Sequence, residues 1–213
     1  MIASENFQQW AFETMGRRLY RPDEINDETI PIFESVPLKE TMHWLQNFIM
    51  KPHPKLERTG AVCPYVKPSM DEGLFYLTVV QTAEPESFSE LTREMNVFRE
   101  IFNTMPPFEG ENKALRCIMV LFPQTAEKTF ESPTEVGKLR ADFMRHDITL
   151  GHFFPTSDVK KQLKYKFFPH QPPLPLFVFR TFMDFDWVFI NKETEWRKIY
   201  LEKFGAPPAN LAR

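Results

Sequence analysis

The chain has 213 residues, a length that fits one sizeable domain with a real apolar core. Its formal net charge is −3 and no Lys/Arg block stands out, so the electrostatic footprint of a nucleic-acid binder is missing. The N-terminus lacks a basic segment followed by an apolar run, and nothing approaches the ~18 to 20 apolar residues of a membrane span; the expectation is a cytoplasmic protein with no membrane partner.

Phenylalanine is abundant, 22 copies against five tyrosines, and it clusters in the apolar runs. That predicts a dense aromatic interior, or a ring-lined cavity able to hold a flat ligand. The two cysteines, Cys63 and Cys117, are too few for a disulfide framework. Neither Cys-x-x-Cys nor His-x-x-x-His spacing occurs, so a structural zinc site has no support.

In chain order, Phe7, Trp10, Ala11, Met15 and Leu19 recur at helical spacing and predict an amphipathic helix ending before Pro22. An acidic, proline-punctuated linker follows to Pro37. Residues 1–34 therefore read as an N-terminal extension, an appendage that could mediate a homodimer contact, and residues 35–213 as the core domain. A second helix is expected to start near Ser35 to Pro37, carry Leu38, Met42, Leu45, Phe48 and Ile49 inward, and stop at Pro52. Leu74 to Val80 reads as a buried strand, and Phe88 to Met105 as the clearest helix of the chain. Cys117 to Phe122 is a second buried strand, in which Cys117 serves as a small apolar filler.

Ser132, Pro133 and Glu135 predict a capping box opening a helix with Val136, Leu139 and Phe143 inward. Ile148 to Phe154 is extended, Lys160 to Lys166 is a solvated charged face, and Leu176 to Phe182 is a strand with Arg180 as its one charge. A last helix carries Trp196, Ile199, Tyr200 and Phe204. These elements predict an α+β fold, a mixed or antiparallel sheet packed against helices on one side. With seven glycines and no glycine-rich turn between strand and helix, the dinucleotide fingerprint and the phosphate loop are absent.

Chemistry concentrates in Pro52 to Pro68, PHPKLERTGAVCPYVKP. Cys63 precedes Pro64, which biases its backbone to extended geometry and holds the sulfur on a rigid loop. Three roles are open for it: thiolate ligand to heme iron, nucleophile with His53 as base, or inert thiol in a turn. His53 lies in Pro-His-Pro, and Arg58 stands near the Gly60 turn. His152 follows Gly151 in an extended segment that puts it on the same side as Phe154. Arg180, amid apolar neighbours, requires a carboxylate from the protein or from a ligand.

The run WLQNFIMKPHPKLERTGAVCPYVKPSM resembles the signature of a bacterial domain family of unknown function, with the pattern PHP-x-L-GR-x-G-x-VCPF. The likeness continues through MVLFP (residues 119–123), TLGHFFP (149–155) and FFPHQPPLPLFVFRTF (167–182), and covers about residues 40 to 190. More distantly, the Cys-Pro loop and the later strands resemble the YqcI/YcgG family of heme-dependent N-oxygenases of specialised metabolism. Two departures stand out: Glu57-Arg58 replaces Gly-Arg, and the family's G-E-F-H-P reads Gly151-His152-Phe153-Phe154-Pro155. The resemblance implies a heme-dependent enzyme that oxidises a small amine or amino-acid-like substrate. Cys63 would be the iron ligand, Arg180 a cofactor contact, and His53, Arg58 and His152 the reactive pocket residues. The alternatives are a non-catalytic heme or small-ligand binding module, and a metal-free enzyme with Cys63 as nucleophile.

Overall fold

The structure, a computed structural model, describes residues 6–26, 28–56, 59–80, 87–125, 129, 132–156, 171–190 and 194–207. Four strands, β1 (Phe75–Val79), β2 (Cys117–Leu121), β3 (Ile148–Phe153) and β4 (Leu176–Thr181), form one mixed sheet in the spatial order β1-β2-β4-β3. β1 and β2 are parallel, whereas β4 runs antiparallel to both β2 and β3. The helices are α1 (Phe7–Met15), α2 (Ile32–Trp44), α3 (Val66–Asp71), α4 (Phe88–Thr104), α5 (Pro133–Arg145), α6 (Trp187–Ile190) and α7 (Thr194–Phe204). This is a single α+β domain with a mixed sheet packed against helices.

The helices cover both faces of the sheet, not one as the sequence reading expected. The reason is written in two of the strands: FYLTV of β1 and CIMVL of β2 are buried at every position, which requires cover on both sides. One face carries Tyr76, Ile118, Val120, Phe177 and Phe179 against Phe7 of α1, Leu91, Phe98 and Phe102 of α4, and Phe143 of α5. The other carries Leu77, Cys117, Met119 and Leu176 against Leu38 and Met42 of α2, Leu45, Ile49 and Val66. A third cluster seats Phe182, Trp187, Ile199 and Tyr200 on the far side of α5, through Ala141 and Met144. The phenylalanines are used in packing: Phe98, Phe102 and Phe143 surround Phe179 with ring centroids 5.4 to 6.3 Å apart.

Several boundaries moved. α1 stops at Gly16, whose φ of +65° ends the helix in the left-handed region, so Leu19 lies beyond it. α2 starts at Ile32 with Pro31 as its N-cap, which puts Pro37 in the second turn instead of at the opening. α3 was not foreseen; its Pro68 falls in the first turn, where a missing N–H costs nothing. The expected capping box at Ser132 does not form: its side chain makes no cap bond at ψ 89°, whereas Ser87, extended at ψ 154°, accepts from the Glu90 N–H. Lys160 to Lys166 lies outside the described residues. No described helix is long and apolar enough to cross a membrane.

The N-terminal segment is stitched into the body and is not the appendage its linker implied. Phe7 and Ala11 are fully buried in the core. Tyr20 exchanges both backbone hydrogen bonds with Leu77 at 2.8 Å, covering the outer edge of β1. Arg17 forks onto Glu94 of α4 at 2.6 and 2.8 Å, and the Tyr20 hydroxyl donates to Glu34 of α2. Phe7→Ala is therefore expected to cost about 3 to 5 kcal/mol of stability in urea unfolding, whereas Phe12→Ala, on the exposed side of the same helix, changes it by less than about 0.5 kcal/mol.

Candidate functional site

The Cys63 loop is delivered by a distorted helix end. After Trp44 the chain widens into a π segment, Leu45–Ile49, closed by the Met50 N–H donating to the Leu45 carbonyl at 2.8 Å. Such bulges recur at functional sites. Here it turns the carbonyls of Ile49 and Lys51 toward the returning strand. The Cys63 N–H donates to Ile49 O at 3.0 Å and the Val62 N–H to Lys51 O at 2.9 Å, while Pro52 and Ala61 bridge. Cys63 is thus clamped by its backbone, with its side chain half-buried on the apolar cluster beneath α2.

His53 stands three register steps farther along this hairpin, about 10 Å from Cys63 at strand spacing. Its Nδ1 accepts from the Lys55 N–H at 3.2 Å, and its ring meets Phe48 edge-on at 5.8 Å. Phe48 also lines an open groove of about 700 Å³ with His43, Trp44, Pro172 and Pro173, and neither His53 nor Cys63 is among the groove's lining residues. Arg58 lies outside the described residues.

Arg180 does meet the Cys63 loop. It sits in a row across the sheet, with Cys117 of β2 and Thr149 of β3 as its register partners, so all three point to the face that carries Cys63. The required carboxylate is Asp186, fully buried in the 3₁₀ turn after β4. Arg180 Nη2 donates to it, and Asp186 also accepts from Thr149 Oγ1 at 2.8 Å and the Met183 N–H at 2.9 Å. The guanidinium carbon lies 5.5 Å from the Tyr65 ring centroid and 5.1 Å from that of Phe185, and those two rings stack at 5.0 Å. Tyr65 is two residues past Cys63, so the guanidinium and the thiol share one small neighbourhood. Burial pushes the Tyr65 phenol up, with Arg180 opposing and Asp186, Cys63 and Asp184 adding to the rise. The phenol therefore stays a neutral donor.

Cys117 lies beneath this loop and is unlike Cys63. Burial pushes its thiol far up, the neighbouring Cys63 adds to the rise, and Arg180 only partly opposes it. The filler role expected for Cys117 fits that environment.

His152 is on the wrong side. Its ring packs against Phe154 at 5.2 Å and Phe177 at 5.3 Å, on the face of α4 and α5. The shared side of His152 and Phe154 agrees with the strand periodicity, but that side is opposite to Cys63 and Arg180. Gly151, just before His152, leaves room for the Phe153 ring: a Cβ there would lie 2.6 Å from it.

Among the described residues, no group of three or more His, Cys, Asp or Glu could hold a metal ion. The positions expected to frame a heme do not converge either. His152 faces away, His53 lies just beyond the Pro52–Ala61 bridge, and Arg180 directs its charge to Asp186. Sequence reasoning missed Tyr65, Phe185, Asp186 and Thr149. The available signals were Tyr65 within Cys-Pro-Tyr and the acid six residues beyond Arg180.

What the geometry defines is a class: a single α+β domain presenting one half-buried thiol at the end of a sheet closed on both faces. Within that class the chain belongs to the family of the domain of unknown function DUF6875, which matches residues 38–212. The match spans most of α2 and every later element, leaving α1 outside. No curated protein and no solved structure matches the chain.

The contrast between the thiols is measurable. Titration with 5,5′-dithiobis(2-nitrobenzoate) is expected to find one reactive thiol in native protein and two in guanidinium, with Cys63→Ala removing the native one. The Cys117 thiol is raised on folding, so its contribution to stability is intact below the unfolded value of about 8.5 and falls as pH rises above it. Cys117→Ala should flatten that loss in unfolding curves taken from pH 8 to 10.

Proposed function

We propose that the protein is a metal-independent enzyme in which Cys63 attacks a small electrophilic substrate. The observation that carries this is the backbone-clamped, half-buried Cys63 thiol, set beside a neutral phenol and a guanidinium that is itself held by Asp186. The reacting form of cysteine is the thiolate. As sulfur bonds to a carbonyl carbon, the C=O electron pair moves onto oxygen and the thiol proton leaves to solvent. The Tyr65 hydroxyl and the Arg180 guanidinium are donors suited to holding an anionic group of the substrate next to the attacked carbon. His53 is too far along the hairpin to serve directly as the base, so the partner expected from sequence is not part of this reading.

The test is alkylation. Iodoacetamide followed by peptide mass spectrometry is expected to label Cys63 and leave Cys117 unmodified, and Cys63→Ala should take up no label in the native state. An unmodified Cys63 would sink the proposal. The heme-dependent N-oxygenase reading is separated by titrating the protein with hemin. No Soret band that depends on Cys63 is expected, and a band abolished in Cys63→Ala would replace the thiol enzyme with a heme protein.

A further inference from the structure

The bonds of Arg180 leave part of it unused. Nη2 donates to Asp186, Nη1 donates to the Thr181 carbonyl at 3.3 Å, and Nε–H has no hydrogen bond among the described residues. The side chain keeps 16 % of its surface exposed, so this donor is not sealed off. The Tyr65 hydroxyl likewise makes no hydrogen bond among the described residues, and Tyr65 is half-buried. Asp186 by contrast is saturated by its three donors and fully buried, a fixed counter-ion and not a competitor for the open edge. Two donors with no acceptor therefore lie together at the end of the Cys63 loop. Asp184, the other acid nearby, is exposed, and its charge is screened by salt.

Donors without acceptors select oxygen ligands, and a guanidinium edge favours a carboxylate over a neutral carbonyl because charge-assisted bonds are the stronger kind. Building on the thiol reading above, we infer that the substrate is a small carboxylic acid. Its carboxylate is held by Arg180 Nε–H and the Tyr65 hydroxyl, which leaves its electrophilic carbon at Cys63. The Tyr65–Phe185 stack holds the phenol in place, and the Asp186 bond holds the guanidinium.

Iodoacetate and iodoacetamide deliver the same carbon to sulfur and release the same iodide, but only iodoacetate carries a carboxylate. Their rates at Cys63 are measured in the intact chain and divided, then compared with the same ratio for glutathione in the same buffer. The ratio is expected to exceed that of glutathione by about tenfold, the value of one added charge-assisted bond. Tyr65→Phe, which keeps the ring stack, should lower it by about threefold, and acetate should slow iodoacetate labelling saturably. A ratio equal to that of glutathione, with Cys63 still labelled by iodoacetamide, overturns the carboxylate inference and leaves the nucleophile standing. Failure of both reagents overturns the nucleophile and the inference with it. A raised ratio unchanged in Tyr65→Phe overturns the two-donor assignment.

Discussion

The buried carboxylate of Asp186 is the interaction on which the Cys63 end of the molecule depends. A fully desolvated carboxylate is sustained only by matched charge and filled lone pairs. Asp186 has both: the Arg180 guanidinium, the Thr149 hydroxyl and the Met183 backbone N–H. Those donors come from β4, β3 and the turn after β4, so one side chain ties together the end of two strands and the chain leaving them. The guanidinium so fixed is the surface against which Tyr65 rests, and Tyr65 in turn ends the Cys63 loop. Order at the thiol is inherited from order at Asp186.

The sheet sorts the chemistry. Its α4 and α5 face is filled with rings and carries His152 as one more flat side chain in the stack. Its α2 face has smaller aliphatic groups, both cysteines and the one charged row. A site needing water access and polar side chains is compatible only with the second. The two histidines singled out by sequence are both engaged with aromatic rings, Phe48 for His53 and Phe154 and Phe177 for His152.

Much of the fold was legible because the strands are short apolar runs and α4 repeats its apolar residues without interruption. The strand and helix positions follow from residues such as Phe75, Leu77, Leu91 and Phe98. Cover on both faces was written in the second strand, since CIMVL has no polar alternation, but periodicity alone does not say what supplies the second layer. Of the site, Cys63 and Arg180 were readable as a thiol before proline and a lone charge in a strand. Asp186 and Tyr65 were not, because their roles exist only once the loop and the turn are brought to the same end of the sheet. His152 was placed correctly relative to Phe154, yet strand parity fixes only which residues share a side, not which side meets Cys63.

The two faces are nevertheless one constraint. Phe177 and Phe179 alternate with Leu176, Val178 and Arg180 along β4, so a slip of one residue would drive Arg180 among Phe98, Phe102 and Phe143 and expose Phe179 to the Cys63 face. Neither arrangement is tolerable: a guanidinium would be buried without its carboxylate, and a ring would fill the space beside the thiol. The dense aromatic packing on one face thus enforces the register that sets Arg180 opposite Cys117 on the other. In this molecule the abundance of phenylalanine acts on the site from behind the sheet, by fixing where the only charge of β4 can point.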